Sequence, residues 1–158
     1  MQIEPRSVEV NTVWFCRSVV WVALSMLAVI VVLVIPAHSS RPGKILLLGE
    51  RRFHMLVATT EEEQHKGLGG RESLGKDEGM LFVFDQPGVQ CFWMKGMQFP
   101  LDIIWLDAGK RVVHIESNVL PASFPESFCP PTKTQYVIEL NAGEVKQNRI
   151  NVGQKLAF

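Results

Sequence analysis

An uncharged apolar run near the N-terminus constrains the fold of this chain more than any other feature. Residues 18–37 read SVVWVALSMLAVIVVLVIPA and hold no charged side chain. A helix rises about 1.5 Å per residue, so a helical run of this length covers the hydrocarbon core of a bilayer, which is roughly 30 Å thick. The run therefore predicts a single N-terminal transmembrane helix.

Both ends of the run have the flanks expected of a membrane anchor. Arg17 precedes it and Arg41 follows it, and Trp14 and Trp21 lie where interfacial aromatic side chains are common. A cleaved signal peptide has a shorter apolar core of about 7–15 residues. We therefore predict an uncleaved signal anchor, with a signal peptide cleaved near AHS (37–39) as the alternative.

The predicted anchor divides the chain into an N-terminal tail (1–17), a transmembrane helix (18–37), a polar linker (38–43) and one soluble domain (44–158). The whole chain has sixteen Lys and Arg residues and sixteen Asp and Glu residues, so its formal net charge is zero. Nucleic-acid binders usually carry a basic face, so this balance predicts no nucleic-acid partner. The membrane, contacted through the predicted helix, is the partner that the sequence indicates most directly.

Short apolar runs separated by turn residues dominate the soluble domain. The runs most typical of strands are MLFVF (80–84), RVVHIES (111–117) and QYVIEL (135–140). Thr60 and Glu63 form a capping-box pattern and Gly67 can end a helix, so a two-turn helix is predicted at 61–66. Several strands are apolar on both faces and need cover on both sides. We predict a mainly β (α+β) fold, a small barrel-like or two-sheet domain with one or two short helices.

The stretch CFWMKGMQFPLDIIWLD, residues 91–107, is nearly all apolar but contains Lys95 and Asp102. Its glycine and proline indicate a turn between two strands. In a hairpin centred between Met97 and Gln98, the two charged residues would be diagonal neighbours, about 7–8 Å apart at the backbone. Two interpretations remain open. Asp102 accepts backbone N–H bonds beneath a covering Lys95, or the two charges lie at the mouth of a cleft.

Four motifs follow one another along the soluble domain: GLGGRESLGKDEGMLFVF, FWMKGMQFPLDIIWLDAGKRVVHI, YVIELNAG and VGQKL. In order and spacing they resemble the domain of unknown function 192 family, and the resemblance covers about residues 52–157. Its most specific piece is Trp93-Met94-Lys95 followed by Pro100-Leu101-Asp102. The resemblance implies a compact, mainly β fold, and it supplies no biochemical activity.

Many members of that family look exported or membrane-anchored, which bears on the orientation of the chain. Positive charges after the apolar run favour a cytoplasmic domain, but a long domain can cross the membrane regardless of such counts. We therefore expect a single-pass protein of the cell membrane with its soluble domain on the extracytoplasmic side. The chain departs from the family at Gly69-Gly70, where members often have a methionine and an aromatic residue.

Several side chains are candidates for binding a ligand. Arg71 lies on a glycine-rich loop and could clamp a carboxylate or phosphate, or pair with a nearby acidic residue. Trp93 could supply a stacking wall beside Lys95, and Glu139 lies on the strand face opposite Ile138 and Leu140. The complete predicted ligand-binding set is Arg71, Trp93, Met94, Lys95, Asp102 and Glu139.

Cys91 and Cys129 are the two thiols of the soluble domain. Outside the cytoplasm such a pair is a candidate disulfide, and closure of this loop would contribute about 3–4 kcal/mol in the chain-entropy view. In the cytoplasm both thiols should be free. The four histidines share no ligand spacing, and strand alternation sends Cys91 and Met94 to opposite faces. The sequence therefore predicts no metal and no cofactor.

Three functions remain open at this stage. The first is a binding module that holds a small polar or anionic ligand in a cleft. The second is a hydrolase-like enzyme with Asp102 or Glu139 as general base, which would require an accessible carboxylate with a raised pKa. The third is a structural module that docks onto an envelope protein, and an exposed apolar patch around Trp105 or 124–128 would favour it.

Overall fold

A computed structural model describes residues 43–48 and 50–158. The predicted tail, the predicted transmembrane helix and linker residues 38–42 lie outside these ranges and stay predictions. Within the described ranges, no helix has both the length and the apolar character needed to cross a membrane.

The described chain is mainly β, with two short helices, as predicted. Its elements are β1 (Lys44–Leu48), β2 (Arg51–Ala58), α1 (Glu61–Lys66), β3 (Glu78–Gly88), β4 (Phe92–Trp93), β5 (Leu101–Leu106), β6 (Val112–Val119), a 3₁₀ turn (Pro121–Ser123), β7 (Ser127–Phe128), β8 (Thr134–Asn141) and α2 (Glu144–Gln147).

Six strands form one mixed sheet in the order β1-β2-β3-β8-β5-β6, and β4 and β7 form a separate small sheet. In the large sheet only the β2–β3 pair is parallel. A parallel pair needs a crossover connection, and α1 lies within that crossover. Near the C-terminus, Ala157 bridges to Leu47 of β1, and Lys155 bridges to Arg111 just before β6. The C-terminal residues thus contact the chain at both outer strands of the sheet.

The helix α1 forms where its local sequence predicts it. The Thr60 hydroxyl accepts a bond from the Glu63 N–H at 3.2 Å, and the Glu63 carboxylate accepts one from the Thr60 N–H at 3.1 Å. Gly67 ends the helix with φ of 49°, a conformation that glycine adopts without strain. Both ends of α1 are therefore determined by residues within or beside it.

Apolar side chains pack on both faces of the large sheet. One cluster includes Leu46, Phe53, Leu81, Ile104 and Ile138, and the other includes Leu68, Phe82, Ile103, Trp105 and Val137. All six residues of β5 are buried, because this strand has neighbours on both edges and cover on both faces. The expectation that doubly apolar strands need two covered faces is confirmed.

The predicted hairpin within residues 91–107 is wrong. β4 does not pair with β5; Phe92 pairs with Phe128 and Trp93 pairs with Ser127. The physical reason is that β6 and β8 already occupy both hydrogen-bonding edges of β5. A disulfide joins Cys91 to Cys129, with 4.3 Å between their Cα atoms, and it holds β4 beside β7.

We expect the double substitution Cys91→Ala/Cys129→Ala to lower the free energy of unfolding by about 3–4 kcal/mol. The bond joins residues 38 apart in sequence, and its loss restores conformational freedom to that loop in the unfolded chain. Guanidinium unfolding of the full-length chain in mild detergent, without reductant, measures the change. Cys16→Ala is the matched control, and equal midpoints for the double variant and the control would contradict the prediction.

Candidate functional site

A cleft of about 460 Å³ opens beside the sheet. Part of its lining comes from α1 and residues 67–69, and another part comes from residues 90–93, Lys95 and Met97, which include β4. Phe82 and Phe84 of β3, Ser127 of β7 and Glu139 of β8 complete the lining. This volume lies within the range of about 300–1,000 Å³ that is usual for small-molecule sites.

Glu139 is the unusual group of the cleft. It lies near the C-terminal end of β8, opposite Met80 of β3 and Ile103 of β5, and only 6% of the residue is exposed. Its Oε2 atom is buried and has no hydrogen-bond partner. Burial raises the pKa of Glu139 to about 8, so the carboxyl is mainly neutral at pH 7. A neutral carboxyl offers both an O–H donor and a C=O acceptor.

Aromatic rings form much of the cleft wall next to Glu139. The rings of Phe82 and Phe92 meet edge to face, with centroids 4.8 Å apart. Phe92 also meets the buried ring of Trp105 at 6.0 Å. Such edge-to-face pairs are more favourable than burial alone, so the two contacts favour this orientation of the Phe92 ring.

The mouth of the cleft carries charged side chains. Lys95 is exposed, and its Nζ lies 6.0 Å from the ring centroid of Trp93, which is 49% exposed. Lys66, at the end of α1, lines the same cleft and is also exposed.

The two sides of the mouth meet closely, since the Gly70 N–H donates to the Gly96 carbonyl at 2.9 Å. A Cβ at Gly69 would lie 3.0 Å from the Lys66 carbonyl oxygen, so a larger side chain would be crowded here.

Three of the six predicted ligand-binding residues share this cleft: Trp93, Lys95 and Glu139. Met94 is buried in the apolar cluster on that side of the sheet. Arg71 is exposed on its loop and does not line the cleft. The structure therefore brings Trp93 of β4, Lys95 of the following turn and Glu139 of β8 into one cleft. The predicted hairpin paired residues within 91–107 and did not bring β8 to them.

Asp102 is fully buried and does not line the cleft. Its Oδ1 accepts the Asn118 N–H and its Oδ2 accepts the Val145 N–H, both at 2.8 Å. In residues 43–48 and 50–158 it makes no ion pair with Lys95, whose ammonium lies beside Trp93. The geometry matches the first interpretation in one respect, because backbone N–H groups satisfy Asp102, but they come from β6 and α2.

The prediction from the sequence did not place α1 in the lining of the cleft. Gln64 on this helix donates from Nε2 to the Val83 carbonyl at 2.9 Å, which fixes α1 against β3. His65 and Lys66 then line the cleft mouth. The only usable signal was the β2-α1-β3 order, since a helix in a parallel crossover packs on a face of the sheet.

Two further predictions concern metals and apolar docking surfaces. Across the described ranges, no group of three or more His, Cys, Asp or Glu side chains could hold one metal ion. Trp105 is fully buried and donates from Nε1 to the Gln90 carbonyl at 2.7 Å. Phe124 is 44% exposed, with its ring 6.5 Å from that of Trp93. Trp93, which lines the cleft, and Phe124 beside it are therefore exposed aromatic residues, whereas Trp105 contributes nothing to an exposed patch.

The fold and the cleft define a small mixed-sheet β domain with a ligand-sized cavity beside one of its central strands. The chain belongs to the domain of unknown function 192 (DUF192) family, described as "Uncharacterized ACR", whose model matches residues 45–158. The resemblance in the sequence motifs is thereby confirmed.

Two solved structures are similar to this chain. A protein of unknown function from Novosphingobium aromaticivorans DSM 12444 is 33% identical, with a TM-score of 0.67 over 72% of this chain and 82% of that one. A protein from Sinorhizobium meliloti 1021, described as a candidate transcription regulator, is 28% identical, with a TM-score of 0.66 over 72% and 89% of the two chains. No curated protein sequence matches the chain significantly.

We expect Asp102→Asn to lower the free energy of unfolding by about 2–4 kcal/mol, because an amide cannot accept both backbone N–H bonds. Urea unfolding of the full-length chain measures this change. Asp85→Asn, at an exposed carboxylate, is the matched control and should be within about 0.5 kcal/mol of the wild type. A loss for Asp102→Asn no larger than that of the control would contradict the structural role of Asp102.

The raised pKa of Glu139 predicts a pH dependence of stability with a defined sign. Between its ordinary value of 4.5 and about 8, the unfolded chain loses this proton while the folded chain keeps it, so stability falls as pH rises. Below pH 4.5 Glu139 is protonated in both the folded and the unfolded chain, so stability does not change with its titration. Above about pH 8 it is ionised in both, and the loss of stability is complete. Relative to Glu139→Gln, the wild type should therefore lose roughly 3–5 kcal/mol between pH 4.5 and pH 8.

Unfolding curves at several pH values measure this difference. Glu126→Gln, at an exposed carboxylate, provides the control and should run parallel to the wild type. Parallel curves for the wild type and Glu139→Gln across the window would show that the Glu139 pKa is not raised.

Proposed function

We propose that this protein is a single-pass protein of the cell membrane whose β domain, on the extracytoplasmic side, binds a small polar or anionic ligand in the cleft. The apolar run at residues 18–37 supports the anchor. The disulfide between Cys91 and Cys129 supports the extracytoplasmic location, because such bonds persist in oxidising compartments.

The observation that carries the binding proposal is the Oε2 atom of Glu139, which is buried and has no hydrogen-bond partner, on a residue that lines the cleft. Leaving a buried polar atom without a hydrogen bond costs about 1–3 kcal/mol, and most buried polar atoms in proteins are paired. A ligand that bonds to Glu139 would remove this cost. The aromatic wall would add apolar contact, and the lysines at the mouth would attract anionic groups.

A hydrolase-like enzyme is the second candidate, and the raised pKa of Glu139 favours it. A carboxyl with a pKa of about 8 beside an open cavity has the properties of a general acid or base. Glu139 would be the base only above about pH 8, where it is ionised. Asp102 has no part in this candidate, because both its oxygens accept backbone N–H bonds away from the cleft lining.

A thermal-shift screen of small polar and anionic compounds tests the binding proposal on the full-length chain in detergent. We expect at least one compound to raise the melting temperature of the wild type, and Glu139→Leu to abolish that rise. Leucine removes both oxygens and is expected to fold well, since it replaces an unsatisfied group with an apolar one.

Lys133→Met is the matched control for the screen, because Lys133 is exposed and does not line the cleft. It should respond to each compound as the wild type does. A screen in which no compound depends on Glu139 would overturn the binding proposal. An accompanying Glu139→Gln variant separates the two candidates, since an amide keeps a donor and an acceptor but cannot act as a base.

A further inference from the structure

We propose that the ligand of the cleft is a small carboxylic acid with a flat ring and a hydroxyl or carbonyl group at its far end. The acid group would lie at the mouth, the ring against the aromatic wall, and the far group at Glu139. This inference rests on the proposed binding function and goes further by naming the chemical class and orientation of the ligand.

The exposure of the lining residues shows which of them lie at the mouth of the cleft and which lie at its floor. Lys66 and Lys95 are exposed, Phe84 and Phe92 are half-buried, and Glu139 is buried. Among these residues the lining changes from lysines at the mouth, through phenylalanine rings, to the Glu139 carboxyl at the floor, and the half-buried Gln64 and Gln90 belong to the same lining. A ligand that matches all three layers must itself have an anionic end, an apolar body and a polar end.

The mouth favours an anion over a cation. Lys95 and Lys66 have no carboxylate partner among the residues that the structure describes. Glu61, on the first turn of α1, also lines the cleft, so one negative charge faces the two lysines, and His65 adds a titratable ring. An incoming carboxylate would find ammonium donors that make no hydrogen bond to a side chain or backbone group of residues 43–48 and 50–158.

The middle of the cleft favours a flat ring. Phe82, Phe84 and Phe92 present ring surfaces, and Met97 adds a flexible thioether that adapts to the edge of a ring. Phe82 and Phe92 are held edge to face at 4.8 Å, so the wall keeps its shape without a ligand. A preformed apolar wall binds a rigid ring with little loss of conformational freedom.

The floor sets the orientation. A ligand carboxylate placed beside Glu139 would be a buried anion with no cation in contact, which is strongly unfavourable. A hydroxyl or carbonyl group has no such penalty and can exchange hydrogen bonds with a neutral carboxyl. The neighbours of Glu139 across β3 and β5 are Met80 and Ile103, neither of which is titratable. The polar, uncharged end of the ligand is therefore the end that fits the floor.

Three probe compounds test this inference by isothermal titration calorimetry with the full-length chain in detergent. They are 4-hydroxybenzoate, benzoate, which lacks the far hydroxyl, and 4-hydroxybenzyl alcohol, which lacks the acid group. We expect 4-hydroxybenzoate to bind the wild type at least about tenfold more tightly than benzoate, as one buried hydrogen bond requires. The alcohol should bind about three- to tenfold more weakly, because exposed charge pairs contribute modestly.

Variants assign each group of the ligand to one part of the cleft. Glu139→Leu should reduce the ratio of the 4-hydroxybenzoate and benzoate affinities to about one, whereas Glu139→Gln should keep it, because glutamine retains a donor and an acceptor. Lys66→Met/Lys95→Met should weaken both acids and leave the alcohol unchanged. Lys133→Met is the control for a general charge effect.

The outcomes separate this inference from the proposed function. If the broad screen yields a ligand that depends on Glu139 but 4-hydroxybenzoate does not bind, the ligand class is wrong and the binding function survives. If that ligand is an amine lost in Glu139→Gln, the floor recognises a cation and the inference is overturned. If no compound in either experiment depends on Glu139, both proposals fail.

Discussion

The buried carboxylate of Asp102 connects three parts of the domain. It lies near the start of β5 and accepts one backbone N–H from the end of β6 and another from the first turn of α2. A fully buried carboxylate is unfavourable unless both oxygens are satisfied, so the three segments must meet in one arrangement. This requirement sets the position of β5 against β8, and β8 carries the floor of the cleft.

Two buried carboxyls on neighbouring strands thus have opposite roles. Asp102 is opposite Leu140, and Glu139 is opposite Ile103, so the two side chains arise only one register position apart. Every oxygen of Asp102 has a backbone donor, whereas one oxygen of Glu139 has no partner. The first carboxyl stabilises the fold through both its oxygens, and the second keeps one buried oxygen without a hydrogen bond to the described residues. An interpretation based on residue type alone would group them together.

Local signals predicted the parts of the fold that depend on neighbouring residues. The capping pair Thr60 and Glu63 determines α1. Alternation in QYVIEL puts the Glu139 side chain on the other face of β8 from Ile138 and Leu140. Pairing between distant segments could not be predicted in this way. Trp93 pairs with Ser127, and Asp102 bonds to Asn118 and Val145, each through contacts that depend on the whole fold. The hairpin prediction failed because it assigned β5 a neighbour that its occupied edges exclude.

The same division applies to the candidate site. The sequence identified Trp93, Lys95 and Glu139 as polar or aromatic residues of interest, and these three share the cleft. It could not identify Gln64, His65 or Lys66, because the direction in which α1 faces is set by its packing on β3. It also included Arg71 and Asp102, which do not line this cleft.

The bond between Cys91 and Cys129 also makes part of the chain a covalent ring. This ring contains β5 and β6 and the largely exposed segment 120–127. A protease that cut this segment would produce two fragments still joined by sulfur, with β5 and β6 still hydrogen-bonded to each other. A nicked molecule would therefore remain a single covalent species until it met a reductant, and the wall of the cleft would stay attached to the sheet that forms its floor.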